Sequence, residues 1–301
     1  MHTLSILIAL AAATVVAALT WQHLRYLKAR REVVHDRQPL LYPKQTFHVV
    51  TFLKAHSGED IVESVRKLQS TLASLENAQL IYAGQAAFTA LQSKQLPEVD
   101  WDAVVLTAYP SRAAYDALAA SPGYSAALGH FDRHYSHGLQ RRRGLNLAIP
   151  LLLLGVRLRD LLRRVPPRTP FRPAAQEQLD DRTRQAPERM ARFDALRPLG
   201  EGAVVVVNLL RDGTPEQRAA NRAYGLQMMG LFAENAHGPM HMGRAVTLEG
   251  DARFNAVAIV YYPGIDYFLQ MARSTFFNGI VGNKQPGDTL AIPTIPITQR
   301  L

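Results

Sequence analysis

The sequence predicts an α+β fold in which two ferredoxin-like βαββαβ repeats pack sheet to sheet as an intramolecular α/β barrel, preceded by one transmembrane helix. The first observation is that residues 101–111 (WDAVVLTAYPS) recur as residues 254–264 (FNAVAIVYYPG), 153 residues further on. Matches in one order at similar separations indicate a tandem duplication of a unit of roughly 100 residues. Two shorter matches precede the first one in both copies, 82–86 with 241–245 and 52–54 with 209–211, at separations of 159 and 157 residues.

The second observation is the order of strand and helix signals within each repeat. Residues 47–53 (FHVVTFL) are β-branched and aromatic, as expected of a strand, and residues 58–75 have helical periodicity. Residues 290–297 close the second repeat as a strand, and Pro293 and Pro296 predict that this strand lies at a sheet edge. The other predicted elements are strands 78–83, 103–108, 203–210, 240–247 and 255–262, and helices 112–120, 215–235 and 265–272.

This order is that of a four-stranded antiparallel sheet with both helices on one face. The other face is left uncovered, and burying it requires a second sheet. A tandem copy supplies that sheet within the same chain. The sequence therefore predicts a pseudo-symmetric barrel made by one polypeptide.

The third observation is the apolar N-terminus. Residues 4–21 (LSILIALAAATVVAALTW) carry no charge, and their length is near the minimum for a membrane-spanning helix. Basic residues follow at once, between residues 25 and 31, and positive charge places that side in the cytoplasm. We expect a single-pass protein of the bacterial inner membrane, with the N-terminus outside and the bulk of the chain cytoplasmic. The alternative is a cleaved secretory signal, which small residues at 10–13 and 17–18 would permit.

A second apolar stretch, residues 145–156, is too short to span a membrane. Leucines continue at helical spacing up to Val165, and Pro150 suits the first turn of this helix. Arginines take the opposite side, so the helix lies either in a membrane interface or against the protein's own domains. The predicted organisation is a transmembrane anchor and basic flank (1–31), a first repeat (45–140), an amphipathic basic helix with a proline-rich linker (141–195) and a second repeat (196–301).

The net charge of +9 is concentrated beside the apolar segments. This arrangement favours an anionic lipid bilayer as partner over nucleic acid, because the basic residues follow no pattern typical of nucleic-acid binding. The absence of cysteine excludes disulfides, thiolate metal sites and cysteine nucleophiles. The basic residues concerned are Arg25, Lys28, Arg30, Arg31, Arg141, Arg142, Arg143, Arg157, Arg159, Arg163 and Arg164.

Five polar residues on predicted strands are candidates for a ligand site. His241, Arg244 and Asn208 lie on neighbouring strands of the second repeat, and Tyr82 and Gln85 hold the positions of His241 and Arg244 in the first. Such a cluster suits an anionic or carbonyl ligand, with His241 as a proton carrier. The alternative is that His241 is a structural histidine.

No metal site or cofactor is predicted. His130 and His134 have the spacing that puts two imidazoles on one helix face, and His137 follows closely. A metal would need a third ligand and an ordered second shell, so a solvated helix end is the preferred interpretation. The chain contains no phosphate loop, dinucleotide fingerprint, nucleophile elbow or zincin motif.

Residues 208–213 (NLLRDG), 82–86 (YAGQA), 101–115 (WDAVVLTAYPSRAAY) and 121–124 (SPGY) resemble a family of small bacterial dimeric α/β-barrel proteins of unknown function. The resemblance covers most of both repeats, and it implies a barrel with a cavity between sheets. The second repeat departs from the pattern, with SerThrPhePhe at 274–277 in place of SPGY. Related barrels include cofactor-free monooxygenases, haem-handling proteins and small-ligand isomerases, so the resemblance does not select a reaction.

These observations lead to two functional hypotheses. In the first, a membrane-anchored barrel binds, and in one version transforms, a small hydrophobic or aromatic ligand in a cavity between the two sheets. In the second, the protein is a non-catalytic membrane-surface module that binds a protein partner or a second copy of itself. The sequence leaves open whether the protein is an enzyme.

Overall fold

A computed structural model describes residues 2–33, 41–75, 78–179, 187–285 and 287–301 of the chain. The described residues form eight strands, closed as one antiparallel barrel in the order β1-β3-β2-β8-β5-β7-β6-β4, with β4 returning to β1. The strands are β1 (Phe47–Lys54), β2 (Gln79–Ala86), β3 (Ala103–Tyr109), β4 (Arg133–Arg141), β5 (Val204–Leu210), β6 (Gly238–Thr247), β7 (Ala256–Tyr262) and β8 (Thr289–Pro296). The helices are α1 (His2–Val33), α2 (Ile61–Ser74), α3 (Arg112–Ala119), α4 (Pro122–Leu128), α5 (Leu145–Leu162), α6 (Pro187–Leu196), α7 (Pro215–Asn235), α8 (Ile265–Ala272) and α9 (Thr275–Val281), with 3-10 turns at Gln176–Gln178, Arg197–Leu199 and Thr298–Arg300.

Each half of the chain contributes four neighbouring strands, β4-β1-β3-β2 and β8-β5-β7-β6. The halves meet where β4 pairs with β6 and where β2 pairs with β8 over three residues. The sequence predicted that the prolines of β8 mark a sheet edge. In the closed barrel β8 pairs with β5 on one side and with β2 on the other, so it is not an edge strand. The proline ring removes only a donor, and the Pro293 carbonyl still accepts a hydrogen bond from Ala87 N–H at 2.9 Å.

The barrel interior is a mainly apolar core. Side chains alternate along each strand, so every second residue points inward. Inward side chains from both halves occupy the space where the sequence predicted a cavity between sheets. They include Val50, Phe52, Tyr82, Val104, Leu106, Leu139, Val205, Val207, Leu209, Val257, Ile259, Leu290 and Ile292, with Trp101 and Phe254 in the same cluster.

The outer faces of the barrel are covered by helices. In the first half, α2 buries Ile61, Val65, Leu68 and Leu72, the one-sided spacing of an amphipathic helix. The Asp60 carboxylate caps this helix by accepting from Val62 N–H at 2.9 Å. In the second half, α7, α8 and α9 occupy the corresponding face, and α5 packs against α7.

The N-terminal helix α1 is long and apolar enough to cross a membrane, with a mean hydropathy of 2.2 over its most apolar window, although a signal sequence has the same properties. Its C-terminal end packs against the barrel, where the Tyr26 hydroxyl donates to the Pro239 carbonyl at 2.6 Å. The second amphipathic helix, α5, begins five residues before Pro150, so the proline lies deeper in the helix than predicted. The predicted linker also contains α6, and its residues 180–186 lie outside the described part of the chain.

His130 is exposed just after the end of α4, as predicted for a solvated helix end, but His134 and His137 lie on a strand. Residues 133–141 form β4, which is paired on both sides, by β1 and by β6. Pairing with two distant strands overrides the local helical spacing of the histidines. His134 Nδ1 lies 3.6 Å from the Glu249 carboxylate, and His137 points into the barrel, where its Nδ1 is 3.1 Å from the Tyr135 hydroxyl.

Candidate functional site

The candidate site is a mainly apolar cavity of about 150 Å³ between the outer face of the second-half strands and their helices. Its floor is made by outward side chains of β5, β7 and β8, which alternate with the inward residues of the barrel core. Its other walls come from four helices and from the chain that follows β2. The lining residues are Phe88, Ala90, Leu91, Arg189, Met190, Val206, Tyr224, Tyr262, Phe268, Met271, Ala272, Phe277, Val281, Lys284, Ala291 and Pro293.

Distant parts of the chain hold these walls in place. The backbone N–H of Ala90 donates to the Ala291 carbonyl at 2.8 Å, so the segment after β2 lies along β8. Ser274 caps α9 by accepting from Phe277 N–H at 3.1 Å, and its hydroxyl donates to the Met271 carbonyl at 2.7 Å. The cap fixes the aromatic ring of Phe277 against the cavity.

The cavity is apolar and aromatic, with cations at its boundary. The Tyr262 and Phe268 rings are 5.1 Å apart, and the Lys284 ammonium lies 5.8 Å from the centroid of the Tyr224 ring. Burial raises the pKa of Tyr224 and of Tyr262 above the usual range, so both hydroxyls are neutral hydrogen-bonding groups at physiological pH. This arrangement suits a small apolar or aromatic molecule that carries one polar group.

The five predicted site residues do not come together. Tyr82 and His241 point into the barrel, whereas Gln85 and Arg244 are each three residues further along the same strand and lie on the other face. Arg244 is exposed. Asn208 faces outward, where its side-chain amide donates to the Ala258 and Val206 carbonyls at 3.0 and 3.2 Å. Side chains alternate between the two faces of a strand, so residues three positions apart point to opposite faces. The sequence spacing therefore already indicated that these residues could not form one site.

His241 belongs to a buried polar cluster at the α1 side of the barrel, which the sequence did not predict. The Arg141 guanidinium donates to His241 Nδ1 at 2.5 Å and to the Tyr42 hydroxyl at 2.8 Å. Because arginine has only donors, His241 Nδ1 accepts and the ring proton resides on Nε2. Burial, followed by the charges of Arg141, Arg30 and His48, lowers the pKa of His241 well below 6.5. These contacts favour the structural interpretation of His241 over a proton carrier.

Two arginines expected at a membrane surface are inside the protein. Arg30 is 3% exposed and hydrogen-bonds Asn146 Oδ1 and the Met240 carbonyl. Arg141 is 7% exposed and bonds the same two groups. Each guanidinium thus joins the start of β6 to the start of α5. In the sequence they were indistinguishable from their solvent-facing neighbours.

Within the described ranges, no three histidine, aspartate or glutamate side chains lie close enough together to hold a metal ion. His137 shares the barrel interior with Tyr135, and burial lowers the pKa of His137 to about 4. The cavity under the second-half helices, in contrast, is lined mainly by aromatic and aliphatic side chains.

Comparisons with known proteins place these observations in context. The sequence matches no protein-family model and no curated protein. Among solved structures, a monooxygenase-type protein from Fusobacterium nucleatum has a TM-score of 0.45 at 8% identity, covering 86% of this chain and 94% of that chain.

Two further solved structures show similarity at the same level. An anthrone oxidase-like protein has a TM-score of 0.40 at 10% identity, covering 86% of this chain and 96% of that chain. A variant of chlorite dismutase from Candidatus Nitrospira defluvii has a TM-score of 0.41 at 11% identity, covering 88% of this chain and 97% of that chain. Similarity this weak supports no inference about activity, so the site is interpreted from its own residues.

Proposed function

We propose that this protein binds a small apolar or aromatic molecule in the cavity under α7, α8 and α9. The observation that carries the proposal is the cavity itself, about 150 Å³ in volume and lined mainly by aromatic and aliphatic side chains. An apolar cavity of about this size holds a single benzene ring. The ligand is therefore a one-ring aromatic compound or an aliphatic molecule of similar volume.

The cations at the cavity boundary favour a ligand with an acidic group. Arg189 and Lys284 both line the cavity, and Leu91, Val281 and Lys284 also line a more polar groove next to it. A ring in the apolar part can then place a carboxylate near the Lys284 ammonium, where a charge-assisted contact fixes its orientation. The neutral hydroxyls of Tyr224 and Tyr262 supply further hydrogen bonds.

The proposed setting is the cytoplasmic face of the bacterial inner membrane, with α1 as a single-pass anchor. This part of the proposal is supported by the uncharged stretch 4–21 of the candidate membrane helix and by the basic residues that follow it between residues 25 and 31. Protease added to intact spheroplasts should leave the barrel uncut, and digestion from outside would reverse the topology.

We further propose that the two halves are tandem copies of one unit, with boundaries near 45–140 and 196–301. Hydrogen bonds recur at equivalent positions in support of this. Asp102 N–H donates to the Leu53 carbonyl at 2.9 Å, and Asn255 N–H donates to the Leu210 carbonyl at 2.7 Å. The carboxylate of Asp102 accepts from Ala55 N–H, and the amide oxygen of Asn255 accepts from Asp212 N–H. Helices α8 and α9 begin 153 residues after α3 and α4.

Benzoate and benzamide test the ligand proposal, because they share a ring and differ in charge. Ligand-observed NMR on the full-length protein in detergent should detect both, with benzoate binding more tightly. Lys284→Gln should weaken benzoate by roughly tenfold, about 1.4 kcal/mol, and leave benzamide unchanged. Native mass spectrometry of the extracted protein should also detect a co-purifying small molecule.

A matched pair of variants localises the binding. Ala272→Phe fills the cavity and should abolish binding of both probes. Ala119→Phe makes the same change 153 residues earlier, at the equivalent position of α3, and should retain binding. Wild-type affinity in Ala272→Phe, or no binding of either probe to the wild-type protein, would contradict the proposed site.

A further inference from the structure

Helix α5 carries a large uncovered apolar face. Its opposite side is buried, through Leu145, Ile149 and Leu153, in the cluster that contains Tyr26 of α1 and Met228 of α7. An exposed apolar patch of this kind on a folded domain marks an interaction surface. The exposed leucines are Leu147, Leu151, Leu152, Leu158, Leu161 and Leu162, with exposed fractions between 39% and 76%.

The charges beside this face are basic. Between residues 142 and 165 the sequence has six arginines and one acidic residue, Asp160. Asp160 is buried, and its carboxylate accepts hydrogen bonds from Arg159 and Arg168 at 2.7 and 3.0 Å. Its negative charge is therefore neutralised within the protein, so the face presents leucines flanked by arginines. That combination matches the boundary between acyl chains and anionic headgroups.

The position of α5 relative to α1 points to the same partner. Tyr26 of α1 packs in one cluster with the start of α5, and the Arg30 guanidinium bonds the Asn146 side chain. Further towards the N-terminus of α1, Trp21 is exposed and stacks with the Arg25 guanidinium at 4.8 Å, an amphipathic pair suited to a headgroup region. The apolar face of α5 thus begins close to the end of the apolar span of α1.

We infer that α5 lies in the headgroup region of an anionic bilayer, on the leaflet where α1 emerges, and seats the barrel directly on the membrane. The inference rests on the membrane anchoring proposed above and adds a second contact. The hydrogen bonds of α1 to the barrel and to α5 hold the three together, which a flexible tether between membrane and barrel would not need. Two contacts at an interface fix the orientation of the barrel relative to the bilayer.

The test uses nitroxide labels, since the chain has no native cysteine to interfere. Full-length protein with Leu151→Cys or Leu162→Cys is labelled and placed in nanodiscs of phosphatidylcholine and phosphatidylglycerol. Collision with oxygen, which partitions into lipid, is compared with collision with a water-soluble nickel chelate. We expect both labels to collide more often with oxygen than with the chelate. A label at Lys67→Cys, on the exposed side of α2, should collide more often with the chelate.

A label at Leu7→Cys separates this inference from the anchoring proposal. Oxygen dominance at Leu7→Cys with chelate dominance at Leu151→Cys would overturn the α5 contact and leave the anchor intact. Chelate dominance at both would overturn both. Shielding of the α5 labels from oxygen and chelate alike would show that protein covers the face, and would also reject the inference.

Discussion

The outer faces of the two halves have the same arrangement of helices and differ in the side chains packed beneath them. Helices α3 and α8 have equal length and start 153 residues apart, as do α4 and α9. In the first half, Tyr115 contacts Tyr109 and Tyr124 edge to face, with ring centroids 5.2 and 6.2 Å apart. In the second half, the positions of Tyr115 and Tyr124 are held by Phe268 and Phe277, which line the cavity instead.

Smaller changes at the same face widen this difference. Buried Phe131 of the first half has Lys284 as its counterpart, and Leu128 has the shorter Val281. The comparison teaches that a closed and an open outer face can be built on the same strand order. Shorter side chains and one cation at these positions contribute to the difference, because neighbouring helices do not collapse fully into a space that a side chain leaves.

The largest expected effect tests whether the first half is the better packed. Tyr124→Ala should lower the free energy of unfolding by about 3–5 kcal/mol, because it empties a filled aromatic cluster. Phe277→Ala should cost about half as much, since that ring already borders empty space. Guanidinium unfolding in detergent, followed by circular dichroism, measures both. Equal losses would mean that the two faces are packed alike.

Beside the cavity, the second half buries His237 against two tyrosine rings. The ring centroid of His237 lies 5.6 Å from that of Tyr262 and 5.0 Å from that of Tyr267. Burial lowers the pKa of His237 to about 3. The unfolded chain therefore binds a proton below pH 6.5 that the folded protein does not, and stability falls as pH falls. His237 should account for about 2 kcal/mol of the stability lost between pH 7 and pH 5.

His237→Phe should remove that part of the pH dependence while preserving the ring contacts. Unfolding curves at the two pH values give the difference. The control His56→Gln, at an exposed position, measures how much a histidine substitution alone changes the unfolding curves. The same slope in His237→Phe and wild type would rule out a neutral buried imidazole at this position.

The smallest expected effect compares the caps of α4 and α9. Ser121 and Ser274 each accept from a backbone N–H three residues on, but Ser274 is fully buried and also donates to the Met271 carbonyl. Ser121→Ala should cost about 1 kcal/mol and Ser274→Ala up to about 2 kcal/mol. Thermal unfolding in detergent resolves this difference, and a larger loss for Ser121→Ala would reverse the comparison.

Elements with strong periodicity were predictable from the sequence, and those that depend on partners were not. The helix predicted at 265–272 matches α8, and the strand predicted at 203–210 begins one residue before β5. The βαββαβ pattern predicted a final strand in the first repeat but did not place it at β4, because the histidines there have helical spacing and the strand is stabilised by pairing with β1 and β6. The five predicted site residues do lie on strands. The prediction failed because strand alternation turns their side chains to opposite faces of the barrel.

The sequence by itself determined the repeated pattern, the strand and helix order, and an apolar N-terminal span, because these depend on local periodicity and composition. Only the tertiary structure decided which polar residues are buried and where space is left. Arg30 is buried because Asn146 and Met240, both far from it in sequence, supply its hydrogen-bond acceptors, and Arg141 shares the distant Met240 carbonyl. The cavity exists because side chains from three strands, four helices and the segment after β2 leave a gap between them, and no local sequence pattern predicts such a gap.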